Sequence, residues 1–144
     1  MDNSVAAIYR PSYKTRWLRP LVLSHVAAGF PSPAEDYIEG RIDLNRDLIK
    51  HPIATFYIRV AGDSMTGAGI GAGDILIVDR AAETCDGHII VARINDDLCV
   101  KQLCIEHNGK ILLLSANDAY PPIEITDAMD FEVWGRVMWS IKPH

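Results

Sequence analysis

The sequence predicts a mainly β protein, a compact and mostly antiparallel β domain carrying an extended N-terminal arm. Three observations predict it. From residue 54 onward, short runs rich in Val, Ile, Leu and aromatics follow one another: "ATFYIRVAG", "DILIVDR", "GHIIVARIN", "DLCVKQLCIEHNG", "KILLLSAN", "IEIT" and "FEVWGRVMWSI". Such residues suit a pleated, half-buried surface. Turn-forming residues separate the runs, at Gly73-Asp74, Asp86-Gly87, Asn95-Asp96-Asp97, Asn108-Gly109 and from Asn117 to Pro122. The first fifty residues lack this texture altogether. A length of 144 residues with 49% apolar content supplies one core and one domain.

Taken in order, the arm comes first, over residues 1–50. Its apolar stretch from Leu21 to Ala28 runs into Gly29, Pro31 and Pro33, and prolines at that spacing block helix and favour extended backbone. "AEDYIEGRIDLNRDLIKHP" then holds Tyr37, Ile38, Ile42, Leu44 and Leu48 at mixed spacing, which allows a short helix ended before Pro52. The β domain follows over 51–144. Its loop "AGDSMTGAGIGAGD", residues 61–74, carries five glycines and has room for a single helical turn after Ser64. Asn108-Gly109, between two apolar runs, is the strongest hairpin signal. The chain has no internal repeat and no heptad.

Charge and composition exclude several classes. A net charge of −5 argues against a surface built mainly for nucleic acid, so no direct sequence-specific DNA binding is expected. The charge is uneven. Residues 1–28 carry Arg10, Lys14, Arg16 and Arg19 against Asp2, a net +3 that leaves −8 on the remainder. No run approaches the roughly 20 apolar residues of a membrane span, and charges and Pro11 interrupt the N-terminus where a secretory signal would be apolar. A soluble, cytoplasmic protein without a membrane partner is expected. Cys85, Cys99 and Cys104 form an odd, unpatterned set that fits reduced, mostly buried thiols.

Of the chemistries this chain could carry, most fail on spacing. The five histidines never stand at ligand spacing with another His or Cys, so no metal and no cofactor is expected. The glycine loop lacks the Gly-Lys-Ser/Thr ending and the following helix of a phosphate cradle. No histidine sits in a context that points at Ser64. Cys99 and Cys104 lie in an apolar strand, where inert thiols are the common outcome.

Serine with lysine remains. In "DLCVKQLCIEH" a period of two puts Cys99, Lys101 and Leu103 on one face and Leu98, Val100, Gln102 and Cys104 on the other. Both faces are largely apolar, which predicts a strand covered on both sides. Burial disfavours an ammonium, and a neutral amine there is a competent general base for a serine hydroxyl. The alternative is a lysine at a sheet edge with its head in solvent.

"VAGDSMTGAGIGAGDILIVDR", followed 37 residues after its serine by the lysine of "VKQL", resembles the LexA/UmuD family of self-cleaving serine–lysine proteins, and within it the UmuD/MucA branch of SOS mutagenesis subunits. The resemblance extends over "LLLSAN", "YPPI" and "EVWGRVMWSIK". It implies Ser64 as nucleophile, Lys101 as its deprotonated base, and the backbone N–H groups of Asp63 and Ser64 as oxyanion donors. It also implies one self-cleavage, at a Cys-Gly or Ala-Gly bond in the arm. Four Ala-Gly steps exist, and only Ala28-Gly29 lies in the arm, behind the apolar lead "LVLSHVA".

The resemblance further implies a homodimer, activation by a RecA–single-stranded DNA filament, and a Y-family polymerase as partner of the shortened product in error-prone translesion synthesis. Trp134, Val137 and Trp139 are then candidates for a dimer interface or for the core. About 28 residues precede the bond, interrupted by Pro11 and Pro20, and fit no helix-turn-helix pattern as a repressor would need. The competing readings are a non-catalytic interaction module and a phage-type repressor fragment.

Overall fold

The β-branched runs after residue 54 become strands because each finds an antiparallel neighbour and a covered face. The computed structural model describes residues 5–13, 19–22 and 38–144. Contacts divide these into two units, one reaching up to Pro11 and resuming at His51, the other lying within 12–50. In the smaller unit, β2 (Arg19–Val22) pairs antiparallel with β3 (Ile38–Ile42). The short helix read from the sequence is α1 (Leu44–Leu48), whose first turn is capped by the Asp43 carboxylate accepting from Asn45 N–H at 3.2 Å.

The larger unit holds β1 (Val5–Tyr9), β4 (Thr55–Val60), β5 (Ile75–Asp79), β6 (Ile89–Ile94), β7 (Asp97–Ile105), β8 (Ile111–Leu114), β9 (Ile123–Glu124) and β10 (Phe131–Ile141). They form one sheet in the order β1-β4-β5-β10-β6-β7-β8-β9, with every pairing antiparallel. The mainly β, antiparallel class read from the sequence is therefore what the chain adopts, including a strand for each of the seven runs. The sequence did not single out β1, which docks on β4 through Tyr9 opposite Tyr57.

Strand β10 joins the halves of the sheet. Its first part pairs with β6 and its second with β5, and Gly135 lies where the β6 register slips. A Cβ on Gly135 would stand 2.6 Å from Val78 Cγ1, so only glycine permits this close crossing. Two apolar clusters cover the sheet. One gathers Ile58, Val60, Met65, Ile70, Leu76, Val78, Val91 and Val100; the other gathers Ile90, Ala92, Ile94, Cys99, Leu103 and Leu113. Strand β7 feeds both, with Val100 in the first and Cys99 and Leu103 in the second. Coverage on both sides, expected from its two apolar faces, is what the fold provides.

Trp134 and Val137 pack against the first cluster, whereas Trp139 is 49% exposed. The thiols are less uniform than expected. Cys99 is buried and Cys104 half-buried, but Cys85 is exposed, because it lies in the loop between β5 and β6 rather than in a strand.

The glycine-rich loop leaves β4 and returns to β5, and its base is closed twice. Val60 N–H donates to Asp74 C=O and Gly73 N–H to Val60 C=O, both at 2.9 Å. The buried Asp74 carboxylate locks the return by accepting from Gly71 N–H at 2.9 Å and from Lys142 Nζ at 2.6 Å. Burial pushes the Asp74 carboxyl up, but the Gly71 N–H and the Lys142 ammonium outweigh it and hold the group below its ordinary value.

The unfolded chain therefore takes up this proton first as pH falls. The contribution of Asp74 is complete above about pH 5 and is lost as pH drops through about 4 towards the lower native value. Lys142 is 41% exposed and screened, so the backbone bond matters more. Asp74→Asn is expected to cost about 1 kcal/mol at pH 7, with the difference from wild type shrinking as pH falls below about 4 towards the lowered native value. Chemical denaturation over a series of pH values from 7 downward measures it, and a deficit that does not change with pH would refute the linkage.

Candidate active site

Ser64 is seated by the residue that follows it. Met65 drives its side chain into the first apolar cluster, and its carbonyl accepts from Ala68 and Ile70 N–H at 3.0 and 3.2 Å. The turn over Thr66–Ala68 is the single helical turn that the loop had room for. Gly62, at φ 89°, lets the chain reverse two residues ahead of the serine. Ser64 is thereby held against the sheet at 0% exposure.

Lys101 reaches the same point from the middle of β7, an interior strand flanked by β6 and β8. It is 3% exposed, so the sheet-edge alternative does not hold. Its Nζ lies 3.2 Å from Ser64 Oγ and 2.7 Å from Ser115 Oγ. Nζ also stands over the Tyr120 ring, 5.7 Å from its centroid. Among the described residues no carboxylate pairs with this amine. Cys99, two residues earlier on the same face, has its thiol pushed up by burial and offers no counter-charge at neutral pH.

A second segment closes over the serine loop. Just past β8, Ala116 C=O accepts from Gly67 N–H at 2.6 Å, and Asn117 Nδ2 donates to Asp63 C=O at 3.0 Å. Tyr120 OH donates to Asp63 Oδ1. Residues 115–120 thus hold the loop on both sides of Ser64 and touch the lysine as well. The N–H groups of Asp63 and Ser64 themselves donate to no acceptor among the described residues.

Of the residues picked out from sequence, Ser64, Asp63 and Lys101 are brought together. Ala28 and Gly29 lie outside the described residues. Sequence reasoning missed Ser115, Asn117 and Tyr120, whose "SANDAY" composition reads as a turn. Their signal was the hairpin register. The ladder sets Leu113 opposite Leu103 and Leu114 opposite Gln102, which carries Ser115 to the position opposite Lys101.

Chemically, a buried hydroxyl within hydrogen-bond reach of a buried amine is an arrangement that can serve as nucleophile and base. The family model described as Peptidase S24-like matches residues 20–138. The chain belongs to the Peptidase S24-like family. Its S24-like relatives include the protein MucA of Salmonella typhimurium, 36% identical over 126 residues that make up 87% of this chain and 85% of MucA. The protein SamA of the same species is 42% identical over 104 residues, 72% of this chain and 73% of SamA. The LexA repressor of Bordetella petrii is 40% identical over 127 residues, 88% of this chain but 55% of the repressor.

The LexA-like, UmuD/MucA-type resemblance carried by the serine loop and the lysine strand is borne out by these matches. Membership makes this a chain of a peptidase family. Among the described residues no helix is long and apolar enough to cross a membrane, and no group of three or more His, Cys, Asp or Glu could hold a metal ion.

Proposed function

We propose that this S24-like protein is an SOS mutagenesis subunit that cuts its own arm once, between Ala28 and Gly29, with Ser64 as nucleophile and Lys101 as base. The observation that carries the reading is the 3.2 Å approach of Lys101 Nζ to Ser64 Oγ at a buried point where, among the described residues, no carboxylate pairs with the amine. A general base must come within hydrogen-bond reach of the proton it takes, and the 3.2 Å approach puts the amine within that reach of the Ser64 hydroxyl.

Ser64 Oγ attacks the Ala28 carbonyl carbon as its proton passes to Lys101 Nζ. The N–H groups of Asp63 and Ser64, free of other acceptors among the described residues, receive the oxyanion. Collapse breaks the Ala28–Gly29 bond, and the proton on Lys101 leaves with the Gly29 amine. Water, deprotonated by Lys101, then hydrolyses the ester on Ser64. Small residues on both sides of the bond let it enter beside the serine without a clash.

The likeness to MucA and SamA supports the wider reading: cytoplasmic, homodimeric, stimulated by a RecA–single-stranded DNA filament, with the product from Gly29 onward serving a Y-family polymerase. The exposed Trp139 and Ile141 at the end of β10 offer apolar surface for a second copy.

Incubating the full chain at about pH 10, where lysine side chains lose their protons, is expected to release fragments whose masses match residues 1–28 and 29–144. No cut at that pH, and none with an activated RecA filament at neutral pH, would remove the peptidase reading. A cut at Ala61, Ala68 or Ala72 instead would remove only the assigned bond.

A further inference from the structure

Lys101 has a second oxygen partner, and it is the closer of the two. Ser115 Oγ lies 2.7 Å from Nζ, against 3.2 Å for Ser64 Oγ. We infer that Ser115 is a positioning residue for self-cleavage: its hydroxyl oxygen holds one N–H of Lys101 so that the nitrogen lone pair is aimed at Ser64. This rests on the serine–lysine reading above and deepens it.

Three features support the assignment. A lysine amine rides on a flexible four-carbon stem and rotates freely about its last bond, so a single contact to Ser64 cannot set the direction of its lone pair. Two oxygens at fixed positions can. A neutral amine has two N–H bonds and one lone pair. If Ser115 takes an N–H, the lone pair is left for the Ser64 hydroxyl.

Ser115 is itself well placed for this. It continues the β7–β8 ladder opposite Lys101, where cross-strand side chains stand close on one face. The residue after it is pinned by Gly67 N–H on Ala116 C=O. A hydroxyl fixed from both sides is a rigid reference point. Among the described residues, the Cys99 thiol two positions along the same face is a weak acceptor, and Tyr120 presents its ring face to Nζ at 5.7 Å.

The test uses the full chain with Ser115→Ala, Ser115→Cys and Ser115→Thr, following the first-order rate of cleavage from pH 7 to pH 11 beside thermal unfolding. Ser115→Ala is expected to cut about tenfold more slowly, a loss typical of a misaligned reacting group. Because the defect is one of aim, the loss persists across the whole profile, its alkaline end included. Ser115→Cys, close to serine in volume but poor as an acceptor, is expected to be slow in the same way. Ser115→Thr restores the oxygen and should return to within about threefold of wild type.

Wild-type rates in the Ala or Cys variants across the whole profile would overturn the inference while leaving the serine–lysine reading intact. A loss confined to the neutral limb, or equal slowing in all three variants with matching loss of thermal stability, would overturn it too. If the wild-type chain makes no cut at any pH, both readings fall together.

Discussion

Ser64→Ala is expected to stop self-cleavage, lowering the rate constant by at least about 10³-fold, while thermal stability stays within about 1 kcal/mol of wild type. The change removes one oxygen from a buried position and leaves Met65, which carries the packing, untouched. Lys101→Arg should be equally inactive. It keeps a cation and a long stem but never surrenders its proton near neutral or moderately alkaline pH, so it cannot act as base. Lys101→Met keeps most of the stem volume, should fold, and should also be inactive. Because nucleophile and base act as a unit, Ser64→Ala combined with Lys101→Met should be no slower than either alone. Mass spectrometry of each variant after incubation at pH 10 decides the matter. Wild-type cutting by Lys101→Met would strip the lysine of its assigned role even if the serine kept its own.

The candidate site was legible in the sequence as far as local pattern could carry it. The glycine loop announced a tight seat for Ser64, and apolar residues on both faces of "DLCVKQLCI" announced that Lys101 would be covered. Each conclusion rests on side-chain period, which a single strand displays on its own. What the lysine would touch depends on register between strands, and that is fixed by the loop of 106–110 around Asn108-Gly109, with Gly109 at φ 84°. Counting outward from that hairpin places Ser115 opposite Lys101. Without the register, "SANDAY" is only a polar turn.

Other features were out of reach for a different reason. Strand β1 has the sequence "VAAIY", too short and too rich in alanine to display a clear alternation. It is a strand because β4, some fifty residues later, offers an edge, and such long-range pairing leaves little trace in local composition. The role of Met65 was similarly hidden. Nothing in the local sequence marks a methionine beside a candidate nucleophile as buried, yet Met65 packs into the first apolar cluster directly after the serine.

Gly67→Ala should be the most damaging change outside the serine and lysine themselves, slowing self-cleavage about 10²-fold and costing about 2 kcal/mol of stability. Gly67 N–H donates to Ala116 C=O at 2.6 Å, and a Cβ on Gly67 would stand 2.5 Å from that same oxygen. The obstacle is backbone, so no rotamer relieves it. Either the serine loop lifts or residues 115–117 retreat, by on the order of 1 Å to restore ordinary contact. Both movements strike the site, because Ser115 holds Lys101 and Asn117 holds Asp63. Gly73→Ala is the matched control. Gly73 also sits in the loop, at φ 88°, but a Cβ there meets nothing within 4 Å. It should cost about 1 kcal/mol of backbone strain and leave the cleavage rate within about threefold of wild type. Paired rate measurements and thermal melts on the two variants separate steric displacement of the site from general loosening of the loop. Equal effects of the two substitutions on cleavage would show that the Gly67–Ala116 approach does not set the geometry of the serine and lysine.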